Sequence, residues 1–184
     1  MADQPNKLAG RGTKLALATA LATALAIPAE GIRQTAYYDP PGILTACRGH
    51  TGADVRKGVT YSLAQCDAWM TDDMRKAVGI VDRCAPGLPP EVLAAFSDAV
   101  FNMGPTIACD TANSSAARYL YRYARAVYKD AATGQTLDAK RTLSAACEQL
   151  PRWNKARVAG VLVPLPGLTT RRGNERDLCL QGAA

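Results

Sequence analysis

Between Leu15 and Ala29 the chain carries no charge, and Lys7, Arg11 and Lys14 stand before that run. A basic segment leading into an uncharged one is the pattern of an export signal whose basic end stays in the cytoplasm. The rest of the chain, from Glu30 onward, is therefore expected to fold outside the cytoplasm. A stable membrane span needs about 20 predominantly apolar residues. This run is shorter, is interrupted by Thr19 and Thr23, and holds more alanine than leucine. It makes a poor permanent anchor, which leaves three fates: cleavage after a site such as Ala24-Leu25-Ala26, stable anchoring, or temporary anchoring.

Behind the run lie about 155 residues, enough for one domain that buries its apolar surface without a partner, as a monomer. Residues 36 to 61 are rich in turns and in short β-branched or aromatic stretches, and predict a small sheet. Almost everything beyond reads as helix. Ser62 is placed to cap a helix running towards Cys84, and Pro89-Pro90 to start another, in which Val92, Phe96, Val100 and Met103 recur at helical spacing until Gly104-Pro105. Further helices are expected from Ser114 or Ser115, over Leu137 to Leu150, and over Leu168 to Leu180. The fold class is thus α+β, mainly α, with residues 1–29 as a separate leading segment and 30–184 as the domain.

One short segment of that domain carries acid–base chemistry. Glu30 comes after Ile27, Pro28 and Ala29, an apolar setting suited to a carboxyl that keeps its proton, and it reads as a general acid. Asp39 lies in Tyr37-Tyr38-Asp39-Pro40-Pro41-Gly42, a turn open to solvent, and reads as a base or water holder. Thr45 offers one donor hydrogen and two lone pairs to the same water. Such a trio suits inverting hydrolysis of a glycosidic bond, in which the two carboxyls stand about 6.5 to 9.5 Å apart. Nine extended residues span roughly 30 Å, so the chain must fold back, and the Pro-Pro-Gly turn is expected to supply the reversal. Each residue also has a plain structural role: helix cap, turn former, strand residue.

Glu30, eight residues, Asp39, five residues, Thr45 resembles the catalytic motif of the phage-type lysozymes, the muramidase endolysins. Thr45-Ala-Cys-Arg-Gly-His-Thr51 is similar to that family's strand and Gly-His-Thr turn. Ala99-Val-Phe-Asn-Met-Gly104 resembles the end of its central helix, and Pro166-Gly-Leu-Thr-Thr-Arg-Arg172 with Glu175-Arg176 its C-terminal helix. These segments keep the family's order over most of residues 30 to 184. The stretch from Arg118 to Lys140 departs from it, being longer and more basic. The resemblance implies a two-lobed lysozyme-like fold with a small sheet lobe and a helical lobe. It also implies hydrolysis of the β-1,4 bond from N-acetylmuramic acid to N-acetylglucosamine in peptidoglycan, with Glu30 as acid and Asp39 and Thr45 positioning the water. No cofactor and no metal are implied. A lytic transglycosylase acting on the same bond is the alternative chemistry.

Six cysteines, Cys47, Cys66, Cys84, Cys109, Cys147 and Cys179, are an even number in an exported chain and favour disulfides. Sequence permits 15 pairings. The resemblance suggests Cys47 with Cys66 and Cys147 with Cys179, leaving Cys84 with Cys109. Zinc is excluded by the lack of a Cys-x-x-Cys and by a single histidine, His50, which reads as a hydrogen-bonded turn residue. Trp153 is expected to seal a lobe interface rather than stack on sugar. The net charge of +6 suits an anionic wall polymer, and export argues against nucleic acid. Arg118, Arg122, Arg125 and Lys129, with interleaved tyrosines, read as a solvated helix face.

The weak apolar run resembles the first segment of signal-anchor-release endolysins, which hold the enzyme in the inner membrane facing the periplasm and then free it into the host periplasm. That likeness implies a functional link to a holin or pinholin. Residues 1–46 contain no cysteine, so no thiol of the anchor can capture an active-site thiol. Silence would then be positional, because Glu30 abuts the anchor. A secreted lysozyme with a cleaved signal peptide is the alternative.

Overall fold

The structure is a computed structural model that describes residues 4–39, 42–133 and 138–184, and the side chains of residues 10–39, 42–126 and 138–184. Helix α1 (Gln4–Ala26) leads into a three-stranded antiparallel sheet, β1 (Arg33–Tyr38), β2 (Leu44–Cys47) and β3 (His50–Thr51), in that order. Then come α2 (Leu63–Cys84), α3 (Pro90–Met103), α4 (Thr106–Cys109), α5 (Ser115–Thr133) and α6 (Ala139–Cys147). A 3-10 turn (Leu150–Trp153), a hairpin of β4 (Lys155–Val158) and β5 (Val161–Pro164), and α7 (Pro166–Ala183) complete the chain.

The helix boundaries have local chemical causes. The Ser62 hydroxyl accepts from the Gln65 N–H at 3.1 Å at the head of α2, and Asp138 accepts from the Arg141 N–H at 3.0 Å at the head of α6. Pro90 opens α3, where its missing N–H costs nothing. That helix stops at Gly104, whose φ of 86° lies in the left-handed region where a Cβ is penalised. Ser114 Oγ accepts from the Ala117 N–H and donates to the Ile107 carbonyl, joining α4 to α5.

Helix α3 is the centre: every residue from Val92 to Val100 is buried, and α1, α2 and α7 pack around it. The expected stripe of Val92, Phe96 and Val100 is core. Helix α1 joins the same core through Ala18, Ala22 and Ala26, each fully buried, an i, i+4 stripe small enough for close helix approach. Arg11 also binds Asp82 of α2. No helix among the described residues is long and apolar enough to cross a membrane. A second, smaller core under the sheet gathers Ala46, Cys47, Val55 and Cys66, with Tyr61 and Trp69 against it.

All three disulfides join the expected partners, Cys47 with Cys66, Cys84 with Cys109 and Cys147 with Cys179. Residues 155–164, inside a stretch expected to be helical, instead form the β4–β5 hairpin. Ala159 and Gly160 both take positive φ there, 49° and 82°, the backbone a two-residue hairpin turn demands. The helix expected over Leu137 to Leu150 is shorter, because Asp138 caps it and the chain tightens into the 3-10 turn before Pro151. Leu137 lies outside the described residues, as do the side chains of Tyr128 and Lys129.

Candidate active site

Glu30 sits where α1 runs out. Pro28 cannot continue the helical ladder, and the Glu30 N–H closes the last turn onto the Ala26 carbonyl at 3.0 Å. Arg48, in the turn between β2 and β3, donates to the Glu30 carbonyl at 3.4 Å, tying the base of the sheet to this point. The Glu30 side chain is one-quarter exposed. Its setting is not the purely apolar one expected from Ile27, Pro28 and Ala29, since Oε1 accepts from Arg171 Nη1 at 2.6 Å. Those three residues belong to the helix end, whereas the carboxyl turns towards α7.

Arg171 is itself fixed from below. Its Nε donates to Asp98 Oδ2 at 3.0 Å and its Nη2 to Asp98 Oδ1 at 2.6 Å, a two-point grip on a carboxylate that is wholly buried in α3. Burial opposes the charge on Arg171, but the bonds from Asp98 and then Glu30 outweigh it and hold the guanidinium charged. Next to it, Arg172 donates to Glu175 Oε1 at 2.5 Å and to Asn102 Oδ1 at 3.2 Å. Glu175 is buried too, and burial, reinforced by a hydrogen bond with Asp98, pushes its pKa up to about 10.

Glu30 lies on the wall of a groove of about 580 Å³ lined by α1, α3 and α7, with Asp98, Asn102, Leu168, Arg171 and Asn174 around it. Asp39 and Thr45 are not among its lining residues; both belong to the β1–β2 hairpin. There Asp39 Oδ1 accepts from the Ile43 N–H at 2.7 Å, and the main chains of the two residues bond again. Thr45 stands opposite Tyr37 in the register and is almost fully buried, its hydroxyl donating to the Ile43 carbonyl at 3.1 Å. The path from Glu30 to Asp39 runs through β1, whose register is irregular between Arg33 and Tyr37, and Thr45 returns beside it on β2; Pro40 and Pro41 of the expected turn lie outside the described residues.

His50 takes the structural role expected of it. Its Nδ1 bonds Asp73 at 2.6 Å, its Nε2 approaches Asp54 at 3.3 Å, and its ring stacks on Trp69 at 4.3 Å. Trp153 is partly buried against the helical core. On α5, Arg118 binds the carbonyls of Thr111 and Ala112, and Arg125 lies beside Tyr121. Sequence reasoning gave no site role to Asp98, Arg171, Arg172 or Glu175. Their one signal was an acid inside the buried stripe of α3, which demands a cationic partner.

Residues 28–133 match the family model described as phage lysozyme. The SAR-endolysin of Escherichia phage P1 is 32% identical over 162 residues, covering 84% of this chain and 76% of that protein. The SAR-endolysin of Bacteriophage PS34 is 30% identical over 154 residues, covering 83% and 77%. The crystal structure of the active form of the P1 phage endolysin Lyz aligns with a TM-score of 0.64 at 25% identity, over 89% of this chain and 85% of that one.

Proposed function

The chain belongs to the phage lysozyme family, and on that premise we propose that Glu30, Asp39 and Thr45 form the catalytic trio of its glycoside hydrolase chemistry. It is an endolysin acting in host-cell lysis. The bond cut is the β-1,4 link between N-acetylmuramic acid and N-acetylglucosamine in peptidoglycan. Glu30 gives its proton to the leaving oxygen as the glycosidic C–O bond breaks and positive charge develops on the sugar ring. A water held by Asp39 and Thr45 attacks the opposite face and yields its proton to the Asp39 carboxylate, which inverts the anomeric carbon. Because the Thr45 hydroxyl hydrogen is engaged by Ile43, the lone pairs are what Thr45 offers that water.

The observation that carries this reading is the setting of Glu30: a partly exposed carboxyl, aimed by Arg171 from 2.6 Å, on a groove wall where α1 ends and the sheet begins. Glu30→Gln tests it. Loss of about 10²- to 10⁴-fold in clearing of purified peptidoglycan is expected for a general acid, with circular dichroism unchanged; retained turnover would remove Glu30 from the mechanism. Thr45→Ser should stay active and Thr45→Val should not. The anomeric form of the first product, read by NMR, distinguishes inversion from retention, and a product without a reducing end would mean transglycosylation.

Residues 1–29 hold the chain in the inner membrane facing the periplasm, and release then lets α1 dock as the helix that ends at Glu30. The SAR-endolysin relatives and the uncharged run from Leu15 to Ala29 support this. While the run is in lipid, Glu30 cannot reach Arg171, so the enzyme is silent until a holin or pinholin collapses the membrane potential. Expression in a Gram-negative host, with depolarisation, fractionation and N-terminal sequencing, is the test. An intact N-terminus moving from membrane to soluble periplasm is expected; a chain shortened near Ala26 would mean a cleaved signal.

A further inference from the structure

Asp98 is an expensive residue to bury. It sits in the middle of α3 with no exposed surface, among the buried Phe96, Ala99 and Val100. Both of its oxygens are engaged by Arg171, and the geometry of that grip leaves one guanidinium nitrogen, Nη1, directed at Glu30. We propose that Asp98, which touches no substrate, is a positioning residue that both aims Arg171 and neutralises it, so that Glu30 can hold the proton it must donate. This rests on Glu30 being the general acid.

The charges around the pair make the case. Glu30 faces Arg171 from α7, Asp98 behind it on α3, and Arg48 from the β2–β3 turn, which meets its main-chain carbonyl. The other polar side chains lining the groove, Asn102, Thr170 and Asn174, are uncharged. Asp98 in turn faces Arg171, Arg172 and Glu175, all from α7. Burial pushes the Glu175 carboxyl towards its protonated form while Arg172 beside it pulls the other way; within the Arg171–Asp98 pair itself, opposite charges meet at two points before Glu30 is counted. A bare guanidinium 2.6 Å from a carboxyl would instead favour its ionised form, and an ionised Glu30 has nothing to donate. A neutral residue at 98 could fill the space; it could not cancel the charge.

The experiment measures kcat/KM for clearing of purified peptidoglycan by the full, released chain between pH 4 and 9. Activity on the alkaline side is lost as the general acid ionises. In Asp98→Asn, close in shape but uncharged, that limb should move to lower pH by about 1 to 3 units. In Arg171→Gln the Asp98 charge is left facing Glu30, and the limb should move to higher pH. The double variant, with neither charge, should return it towards the native position. A purely structural role lowers the melting temperature and leaves the limb in place, and an unmoved limb in a folded single variant overturns the proposal. Should one single variant fail to fold by circular dichroism, the other decides. Glu30→Gln keeps the two readings apart: if it stays active the assignment of the acid is wrong, whereas an inactive Glu30→Gln with an unmoved limb in Asp98→Asn defeats only the role of Asp98.

Discussion

Arg11 on α1 donates to the Asp82 carboxylate on α2 at 2.5 Å, across 71 positions of sequence. Asp82 is nearly buried, with its side chain 9% exposed, while Arg11 is mostly in solvent. The pair joins the basic end of the leading segment to the body of the enzyme, so a residue that reads as the cytoplasmic flank of an export signal also holds α1 to α2. Arg11→Met strands a nearly buried carboxylate and should cost about 1 to 3 kcal/mol. Hydrogen exchange along α1 would rise before the rest of the domain loosens. Equal protection in α1 of both proteins would mean that the pair contributes nothing to docking.

Ala22 has no exposed surface in α1. Each added CH₂ favours lipid by about 0.8 kcal/mol, and a larger side chain at a filled core position costs about 1 to 3 kcal/mol. On the proposed anchoring and release, Ala22→Leu therefore pushes both ends of the equilibrium the same way, towards the membrane. A larger membrane fraction and slower lysis after depolarisation are expected, with Leu17→Ala, at an exposed position, moving the fraction the other way. Thr19 weighs little on either side, because its hydroxyl donates to the Leu15 carbonyl at 2.8 Å within the helix.

The disulfide from Cys147 to Cys179 ties α6 to α7, closing a loop of 32 residues. The chain-entropy model assigns such a loop about 3 to 4 kcal/mol. Since α7 carries Arg171, a Cys147→Ala/Cys179→Ala variant should lose roughly that stability in urea and lose activity at a lower denaturant concentration than it loses α2. Coincident transitions in activity and ellipticity would show that α7 is no weaker than the rest.

Elements with local causes were legible in the sequence. Ser62, Pro90 and Gly104 carry their helix boundaries in their own chemistry, and the stripe of Val92, Phe96 and Val100 announces a buried helix. The illegible parts depended on partners distant in the chain. Asp98 sits inside that stripe and means nothing until Arg171, 73 positions away, reaches it. The β4–β5 hairpin was hidden because its apolar residues, Val158, Val161 and Leu162, are exposed rather than buried on one face. The alanine repeat of α1 fits a lipid-facing run and a close helix contact equally well, and only the packed structure shows the second. For Glu30 the sequence offered only the apolar residues before it, since the guanidinium beside its carboxyl comes from α7.

Glu175 supplies a pH dependence of stability. Unfolded, a glutamate ionises near its ordinary value of 4.5; folded, this one holds its proton to about 10, chiefly because it is buried and secondly through Asp98, with Arg172 pulling the other way. Between those values the folded state binds more protons than the unfolded one, so stability must fall as pH rises. The contribution is complete below about pH 4.5 and is lost as pH climbs through the folded value. Glu175→Gln cannot titrate but still accepts from Arg172. Taking native minus variant, the unfolding free energy from urea titrations at pH 5, 7 and 9 should decline at each step, by at most about 1.4 kcal/mol per pH unit. A difference that instead grew with pH would mean that Glu175 is ionised in the fold and pairs with Arg172 as a true salt bridge, leaving the cluster around Asp98 with one more negative charge.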